Sequence, residues 1–327
     1  MTIQAAQTAA INQGPCGLLY NMKGKKMFGS ILRTTVFGKS RHVAAAVIGS
    51  AVLLTALAPA TQAASTRDTI TQNKSLTIGI HNRAPWGFRS ESGAATGFHP
   101  DLVRAAFERM GVKEVNFVIT EFGALIPGLN AARFDMVASG IAITPDRCKA
   151  VVFSEPDLAV GDSLIVKAGN PLNLHSYADI SANPKVRLSG GRGTLNSKNA
   201  LDAGVPASQM TYLGDAQAML SAIMADRVDA ATLSAPSVVG LLADPKLKGV
   251  ERATPFTGLI KNGVPASMYT AIAFRAEDTD LRDAYNQQLL ALKADGTVAR
   301  LMKQYGFTQE DAVPEAVTTA RVCAGEF

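Results

Sequence analysis

The sequence predicts an α/β fold organised in two domains, and three observations support this prediction. At 327 residues the chain is long enough for two domains of ordinary size. From residue 74 onward, short apolar runs typical of buried strands alternate with segments that carry apolar residues at helical spacing. Several of these strands end in loops rich in glycine and polar residues, which is where open α/β sheets bind ligands.

The predicted elements alternate along the chain, and local signals mark several of their ends. The helix that starts after Gly97 has an inward stripe ending at Met110 and stops at Gly111, while Asp215 is a good N-cap for a later helix. Strands are predicted at 76–80, 115–120, 135–138, 163–167, 186–189, 211–213, within 227–234 and at 270–274, and helices at 98–110, 124–134, 216–225 and 281–294.

The first 64 residues have the pattern of a secretory signal region. Basic residues up to Arg41 precede the apolar run 43–57, and small residues follow at 58–64. Because this run is shorter than the roughly 20 residues of a membrane span, we predict that the region is removed on export to the periplasm. A retained N-terminal anchor is the alternative. The sequence leaves three candidate start positions, which are Met1, Met22 and Met27.

The charge of the chain argues against a nucleic-acid partner. The formal net charge is +5, but the leader alone contains six basic residues and no Asp or Glu. The remaining residues therefore carry a net charge of about −1. A basic surface able to neutralise phosphates is not predicted.

Export places the cysteines in an oxidising compartment. Cys16 precedes the apolar run and is lost with the leader, which leaves Cys148 and Cys323. We predict that these two form a disulfide that ties the C-terminal tail to the helix containing Cys148. Two unpaired buried thiols are the alternative.

The segment Glu121–Pro156 carries the strongest functional signal. It reads as a helix, a short buried strand, a turn and the start of another helix. Gly140 permits a close backbone approach, and Thr144 with Pro145 gives a good N-cap and first helical position. Arg147 then falls in the first turn, beside free backbone N–H groups, where a guanidinium can clamp a carboxylate. An arginine paired with a structural carboxylate is the alternative.

This segment resembles the periplasmic solute-binding proteins that supply polar amino acids to ABC importers (extracellular solute-binding protein family 3). The resemblance rests on Gly140–Arg147, which reads GIAITPDR, and on Phe153–Pro156, which reads FSEP, and it covers nearly all of residues 74–324. It implies the two-lobed type II periplasmic binding protein fold with a hinge of two crossing strands. The implied lobes are 65–167 plus 270–327 and 168–269.

The resemblance also implies a set of ligand-binding residues. Trp86, at the end of the first strand, and Phe122, after the second, match aromatic positions that line the family's ligand cleft. A Trp86 that only fills the core is the alternative. Thr194, in a glycine-rich loop, matches the residue that meets the ligand carboxylate together with Arg147. Ser234 stands where amino-acid-binding members carry an Asp for the ligand ammonium, so an ordinary α-amino acid is a poorer match.

Within the family, the sequence looks most like the ectoine- and hydroxyectoine-binding branch. Runs from Thr120 to Cys148 and from Gly169 to Tyr177, with the late Cys323, carry this likeness. Two positions depart from it. Ala142 stands where the branch places an aromatic residue, and Arg83 stands where it places an acidic one. The predicted ligand is a small zwitterionic or carboxylate solute, ectoine-like or amino-acid-like. A larger solute, or one with a second anionic group, would fit these two departures better, and an Arg83 side chain that points to solvent is the alternative.

The function predicted is capture of a solute and its transfer to an inner-membrane ABC permease, by a monomer without cofactor or metal. Two alternatives use the same fold: a periplasmic enzyme resembling cyclohexadienyl dehydratase, and a ligand-sensing subunit. The enzyme needs an acid or base, for which Glu121 and Asp157 are the candidates. Solvated or capping carboxylates are the alternative for both residues. The three histidines outside the leader do not cluster in sequence, and His99 is expected at the surface near a helix N-terminus.

Overall fold

The computed structural model describes residues 64–327, so the predicted signal region 1–64 lies outside the described residues except for Ala64. The strands are β1 (Ser75–Ile80), β2 (Phe88–Arg89), β3 (Ala95–Thr96), β4 (Glu114–Ile119), β5 (Met136–Ala142), β6 (Val152–Phe153), β7 (Leu158–Val160), β8 (Asp162–Lys167), β9 (Leu188–Gly191), β10 (Met210–Leu213), β11 (Ala230–Ser234), β12 (Val250–Arg252), β13 (Ile260–Lys261), β14 (Val264–Pro265) and β15 (Met268–Phe274).

The helices follow the strands in the alternation that the sequence predicts. They are α1 (Thr66–Asn73), α2 (Phe98–Glu108), α3 (Leu125–Asn130), α4 (Pro145–Cys148), α5 (Tyr177–Ala182), α6 (Leu195–Asp202), α7 (Ala216–Met224), α8 (Ala235–Leu242), α9 (Thr279–Ala294), α10 (Thr297–Gln304) and α11 (Thr319–Cys323). Short 3-10 turns occur at Phe122–Ala124, Ala207–Gln209 and Gln309–Asp311.

Two mixed sheets organise this part of the chain. The first has the order β4-β1-β5-β15-β6, with β7 also pairing with β15, and the second has the order β10-β9-β11-β8-β12. In each sheet the outer strands β4-β1-β5 or β10-β9-β11 run parallel, and a strand returning from the other half pairs antiparallel. The predicted two-lobed α/β fold is confirmed.

The chain changes sheets twice. It leaves the first sheet after β7 and enters the second at β8, with Gly161 between them, and it returns to the first at β15. The strand predicted at 163–167 is therefore found as β8, but it lies entirely in the second sheet, and the crossing comes a few residues earlier than expected. The lobe boundaries at 167 and 270 stay a prediction.

Each sheet has its own apolar core. In the first, α2, α9 and α10 cover β1 and β15 with fully buried side chains such as Ile78, Leu102 and Phe274. In the second, Leu188 and Tyr177 belong to one cluster while Leu220 and Leu233 belong to a separate one. Separate cores allow the two halves to move as units joined only by the crossings.

A disulfide fastens the C-terminal tail to the first sheet, as predicted. Cys148 at the end of α4 and Cys323 at the end of α11 are bonded, with their Cα atoms 5.8 Å apart. Val317 and Val322 of the tail join the apolar cluster that contains Ile143 beside α4. The bridge therefore fixes α4, the helix that carries Arg147.

We expect the double variant Cys148→Ser/Cys323→Ser to lose about 2–4 kcal/mol of unfolding free energy, because the bridge restricts the unfolded chain. The two cysteines are separated by 175 positions. Urea denaturation followed by far-UV circular dichroism measures the difference. Dithiothreitol should leave the variant unchanged, and equal midpoints for the oxidised wild type and the variant would contradict the prediction.

Candidate functional site

The seven residues that the sequence singles out as a binding site surround one cavity between the two sheets. The cavity is lined by Arg83, Trp86, Phe122, Gly140, Ala142, Arg147, Val160, Thr194, Leu195, Asn196, Ser234, Met268 and Thr270. Most of these residues follow the ends of β1, β4, β5, β9 and β11, because carboxyl ends of parallel strands converge in such folds. The cavity volume is about 10 Å³, room for about one water molecule. A larger ligand can therefore enter only if the walls separate.

Arg147 connects the two halves of this cavity. Its backbone N–H donates to Thr144 Oγ1, which confirms the predicted cap of α4. Its guanidinium donates to the carbonyl of Ala142 at 2.7 Å and, from the other side of the cleft, to the carbonyl of Gly193 at 2.9 Å. Burial lowers the pKa of Arg147 to about 10, so the group stays charged at neutral pH.

Arg83 is a second guanidinium at the same cavity. The residue is only 8% exposed, and its Nε has no hydrogen-bond partner among residues 64–327. Burial lowers the pKa of Arg83 to about 10 as well. Neither Arg83 nor Arg147 belongs to any ion pair in the described part of the chain. Both guanidinium carbons lie 5.5 Å from the centroid of the Phe122 ring.

Trp86 both lines the cavity and packs in the core. It is 1% exposed, and its ring centroid lies 5.1 Å from that of Phe307. Its indole N–H donates to Ser234 Oγ at 3.2 Å and to Ser237 Oγ at 3.0 Å, so it links the first sheet to the end of β11. The Ser234 hydroxyl is thus engaged by Trp86 when the cleft is closed.

Gly140 is required by this packing. Its φ is +64°, and a Cβ at this position would lie 2.4 Å from Cδ2 of Trp86. The prediction that Gly140 permits a close approach is confirmed by this geometry, and the approaching group is the indole ring.

Thr194 begins α6 at the opposite wall. Its hydroxyl donates to the carbonyl of Gly191 at 3.0 Å and lies 3.0 Å from Ser197 Oγ. Gly193 has a φ of +72°, and a Cβ there would be 3.2 Å from Gly123 Cα of the facing half. Glycine at both positions lets the loop before α6 approach the start of α3 closely.

A buried histidine behind the cavity was missed by the sequence interpretation. His99, expected at the surface, is fully buried. Since a backbone N–H can only donate, Gly140 N–H donates to His99 Nδ1 at 2.6 Å, and His99 Nε2 then donates to Asp157 Oδ2 at 3.0 Å. Asp157, whose alternative interpretation was a solvated or capping carboxylate, is 2% exposed and accepts the Thr270 hydroxyl at 2.6 Å. No local pattern marks this network, because its partners are far apart in sequence.

Asp162 lies at the start of β8, where the chain enters the second sheet. Asn196 and Asn199 of α6 donate to its two oxygens at 2.7 and 3.0 Å. Burial raises the pKa of Asp162 to about 6, although these hydrogen bonds act in the other direction. Asn196 also lines the cavity. The carboxyl of Asp162 therefore connects the cavity wall to the point where the chain enters the second sheet.

Two sheets with separate cores, joined by crossings and enclosing a polar cleft at their strand ends, define a two-lobed solute-binding protein. The profile of the bacterial extracellular solute-binding proteins, family 3, matches residues 76–309, and the chain belongs to this family. It is a solute-binding component of the kind that delivers a ligand to an ABC permease.

Named relatives and solved structures agree with this assignment. A probable amino-acid ABC transporter periplasmic-binding protein, y4tE, of Sinorhizobium fredii is 36% identical over 253 residues, which are 76% of this chain and 83% of that protein. The histidine-binding periplasmic protein of Salmonella typhimurium is 28% identical over 68% of this chain and 83% of its own length.

Among solved structures, EhuB in complex with hydroxyectoine has a TM-score of 0.72 and 33% identity, covering 79% of this chain and 97% of that chain. An ancestral amino-acid-binding protein, AncCDT-1, described as a precursor of cyclohexadienyl dehydratase, has a TM-score of 0.64 and 28% identity, covering 74% and 99%. The predicted likeness to the ectoine branch is confirmed. Most of these relatives are binding proteins.

Residues 64–327 contain neither a candidate membrane-spanning helix nor a candidate metal-binding cluster. None of the helices there has the length and apolar character needed to cross a membrane. Within the same residues, no group of three or more His, Cys, Asp or Glu side chains is arranged to hold a metal ion. The family itself is extracytoplasmic.

We expect Gly140→Ala to lower the unfolding free energy by about 1–3 kcal/mol, because the methyl group and the positive φ both conflict with the native packing. The emission of Trp86, the only tryptophan, should shift as the indole is displaced. Denaturation and fluorescence spectra measure both effects. Gly161→Ala is the control, since a Cβ there would meet no atom within 4 Å. Equal spectra and midpoints for Gly140→Ala and wild type would contradict the packing argument.

The raised pKa of Asp162 predicts a dependence of stability on pH. The folded protein holds this proton more tightly than the unfolded chain, so its contribution is complete below about pH 4 and is lost as the pH rises through about 6. Relative to Asp162→Asn, the wild type should lose about 1–2 kcal/mol of unfolding free energy between pH 4 and pH 7, less than the full linkage value because the side chain is half-buried.

Urea denaturation of both proteins at pH 4, 5, 6 and 7 measures this difference. Subtracting the unfolding free energy of Asp162→Asn from that of the wild type at each pH removes the contributions of other titrating groups. A difference that stays constant over this range would show that Asp162 titrates as in the unfolded chain.

Proposed function

We propose that this cleft captures a small zwitterionic or carboxylate solute through Arg147 and presents it to an inner-membrane ABC permease. The observation that carries the proposal is the guanidinium of Arg147, which is charged, lines the cavity and, within residues 64–327, donates its hydrogen bonds to carbonyl oxygens and to no carboxylate. A carboxylate can replace one of these carbonyls with shorter, charge-assisted bonds.

The opposite wall supports the same role. Thr194 is the N-cap of α6, so the positive end of that helix dipole lies beside Arg147. Gly193, which accepts from Arg147, belongs to the same loop. A carboxylate held by Arg147 therefore contacts both halves, and this contact favours the closed form over the open one.

The names of related proteins are consistent with ligands of this size. EhuB is solved with hydroxyectoine, and other relatives are called histidine-binding or amino-acid-binding proteins. Trp86, Phe122 and Ser234 would complete the enclosure of such a solute, as the family resemblance implies. Export through the predicted signal region would bring the protein to the periplasm, where it would act as a monomer.

A binding role is favoured over catalysis by the chemistry of the cavity. None of the described residues that line it is Asp, Glu or His, so no side chain with an ordinary acid–base role faces the ligand. Asp157 is engaged by His99 and Thr270 behind the wall, and Glu121 borders a different cavity. The dehydratase-like enzyme would need at least one such group at the substrate.

The test is a titration of the protein purified from the periplasm, followed by Trp86 fluorescence and calorimetry. Ectoine, hydroxyectoine, betaines, polar amino acids and small carboxylates would form the panel. We expect a saturable response near 1 μM, about −8.2 kcal/mol, to at least one carboxylate solute. Arg147→Ala should weaken the affinity for this solute by about 100-fold, because a charged bidentate contact is lost.

Arg192→Ala is the matched control, because Arg192 is exposed, stacks on Tyr212 and lies next to Gly193 without lining the cavity. It should leave the affinity within about twofold. If Arg147→Ala binds as tightly as the wild type, the proposed carboxylate clamp is wrong. The N-terminal mass of the same preparation tests removal of the signal region.

A further inference from the structure

The cavity is strongly unbalanced in charge. Two of its lining residues are arginines, and no described lining residue is acidic. A cleft for a zwitterion needs a partner for the ligand's cation as well as for its carboxylate. Here the described lining residues that could approach a cation offer hydroxyl, amide and aromatic groups, but no negative charge.

Of the two arginines, Arg83 has fewer interactions that would stabilise its charge. Arg147 has carbonyl partners on both sides of the cleft, whereas the Arg83 side chain has no hydrogen bond among the described residues and an unpartnered Nε. At 8% exposure this is a buried charge without a partner, which destabilises the closed form. The charge of Arg83 also acts on His81. Burial is the larger cause of the lowered pKa of His81, and repulsion by Arg83 is the second.

The neighbouring carboxylates do not serve as partners for Arg83. Glu121 and Asp215 line an adjoining cavity that Arg83 also borders. Both residues are exposed, and no described ion pair joins either of them to Arg83. Solvent screens such charges, so they leave the buried guanidinium uncompensated.

Phe122 lies beside both guanidinium groups, so its ring is a poor site for a ligand cation. Arg83 and Arg147 each lie 5.5 Å from the ring centroid, so their guanidinium carbons are no more than twice that distance apart. The ring therefore already makes cation–π contacts with two side chains of the protein. A ligand cation near Phe122 would face two like charges.

We propose that Arg83 forms a second anion subsite, so that the preferred ligand is a short dicarboxylate with one carboxylate on Arg147 and the other on Arg83. This inference rests on the proposed function and makes its ligand class specific. The second carboxylate supplies the countercharge that Arg83 lacks in the closed cleft. Solutes with a cation in its place, ectoine among them, bind more weakly.

The experiment compares three solutes of similar length by calorimetry: succinate, butyrate and 4-aminobutyrate. They place a carboxylate, a methyl or an ammonium group opposite the common carboxylate. We expect succinate to bind at least about tenfold more tightly than either of the others, because its second carboxylate meets a buried guanidinium. Ectoine is included as the zwitterion.

Arg83→Gln removes the charge and keeps a polar side chain. It should weaken succinate binding by about 10- to 100-fold, whereas butyrate binding should stay unchanged or tighten, because closure no longer buries an unbalanced charge. Arg89→Gln is the matched control, since Arg89 is an exposed arginine of the same region that does not line the cavity, and it should change neither affinity. Arg147→Gln should weaken the binding of all three solutes.

The melting temperature of Arg83→Gln distinguishes a ligand-binding role of Arg83 from a structural one. Removing an uncompensated buried charge should leave the melting temperature of the ligand-free protein unchanged or raise it. A large fall in melting temperature for Arg83→Gln would show that Arg83 is structural and would overturn the subsite.

The remaining outcomes distinguish the two proposals. If butyrate, 4-aminobutyrate or ectoine binds as tightly as succinate, and Arg147→Gln abolishes this binding, the carboxylate clamp stands and the second subsite is wrong. If no solute in the series binds in an Arg147-dependent manner, the second subsite is wrong, and the clamp is also wrong if the wider panel of betaines and polar amino acids gives no Arg147-dependent binding.

Discussion

The closed cleft depends on the guanidinium of Arg147. It reaches from the first half to the carbonyl of Gly193 in the second, and it is held at its own side by the carbonyl of Ala142. The two carbonyl oxygens accept hydrogen bonds from two of its N–H groups but do not neutralise its charge, and burial lowers its pKa. The local sequence is arranged around this contact: Thr144 caps α4, and glycines at 123 and 193 let the two backbones approach.

The wall behind the ligand space is supported by a buried hydrogen-bond network. His99, Asp157 and Thr270 form a buried chain of hydrogen bonds that ends at Gly140 N–H. Gly140 in turn supports Trp86, which no other residue type could do at this φ without strain. The first half thus offers a preformed surface, whereas the second half contributes loops and helix ends such as the start of α6. A preformed surface lowers the ordering cost of binding.

Much of this arrangement could be predicted from the sequence, because its signals are local. The cap at Thr144, the strand ends at Trp86 and Phe122, and the pairing of Cys148 with Cys323 follow from neighbouring residues and compartment. The burial of His99 could not be predicted, since its partners Gly140 and Asp157 lie 41 and 58 positions away. For the same reason the sheet to which β8 belongs was not apparent: its pairing with β11 joins residues far apart in the chain.

The charge of the cleft connects specificity to closure. In the closed cleft both guanidinium groups are buried; within residues 64–327 the Arg83 side chain has no hydrogen-bond partner, and Arg147 has one carbonyl partner from the second half. The desolvation cost of these charges opposes closure in the absence of ligand. An anion offsets this cost only in the closed form, where both groups can reach it, so its differential affinity shifts the population towards closure. A neutral or cationic solute of equal size would gain packing contacts but would leave the charges unbalanced. With Arg83 as the proposed second anion subsite, the same two charges that select the ligand also make closure, the state presented to a permease, depend on the ligand's negative charge.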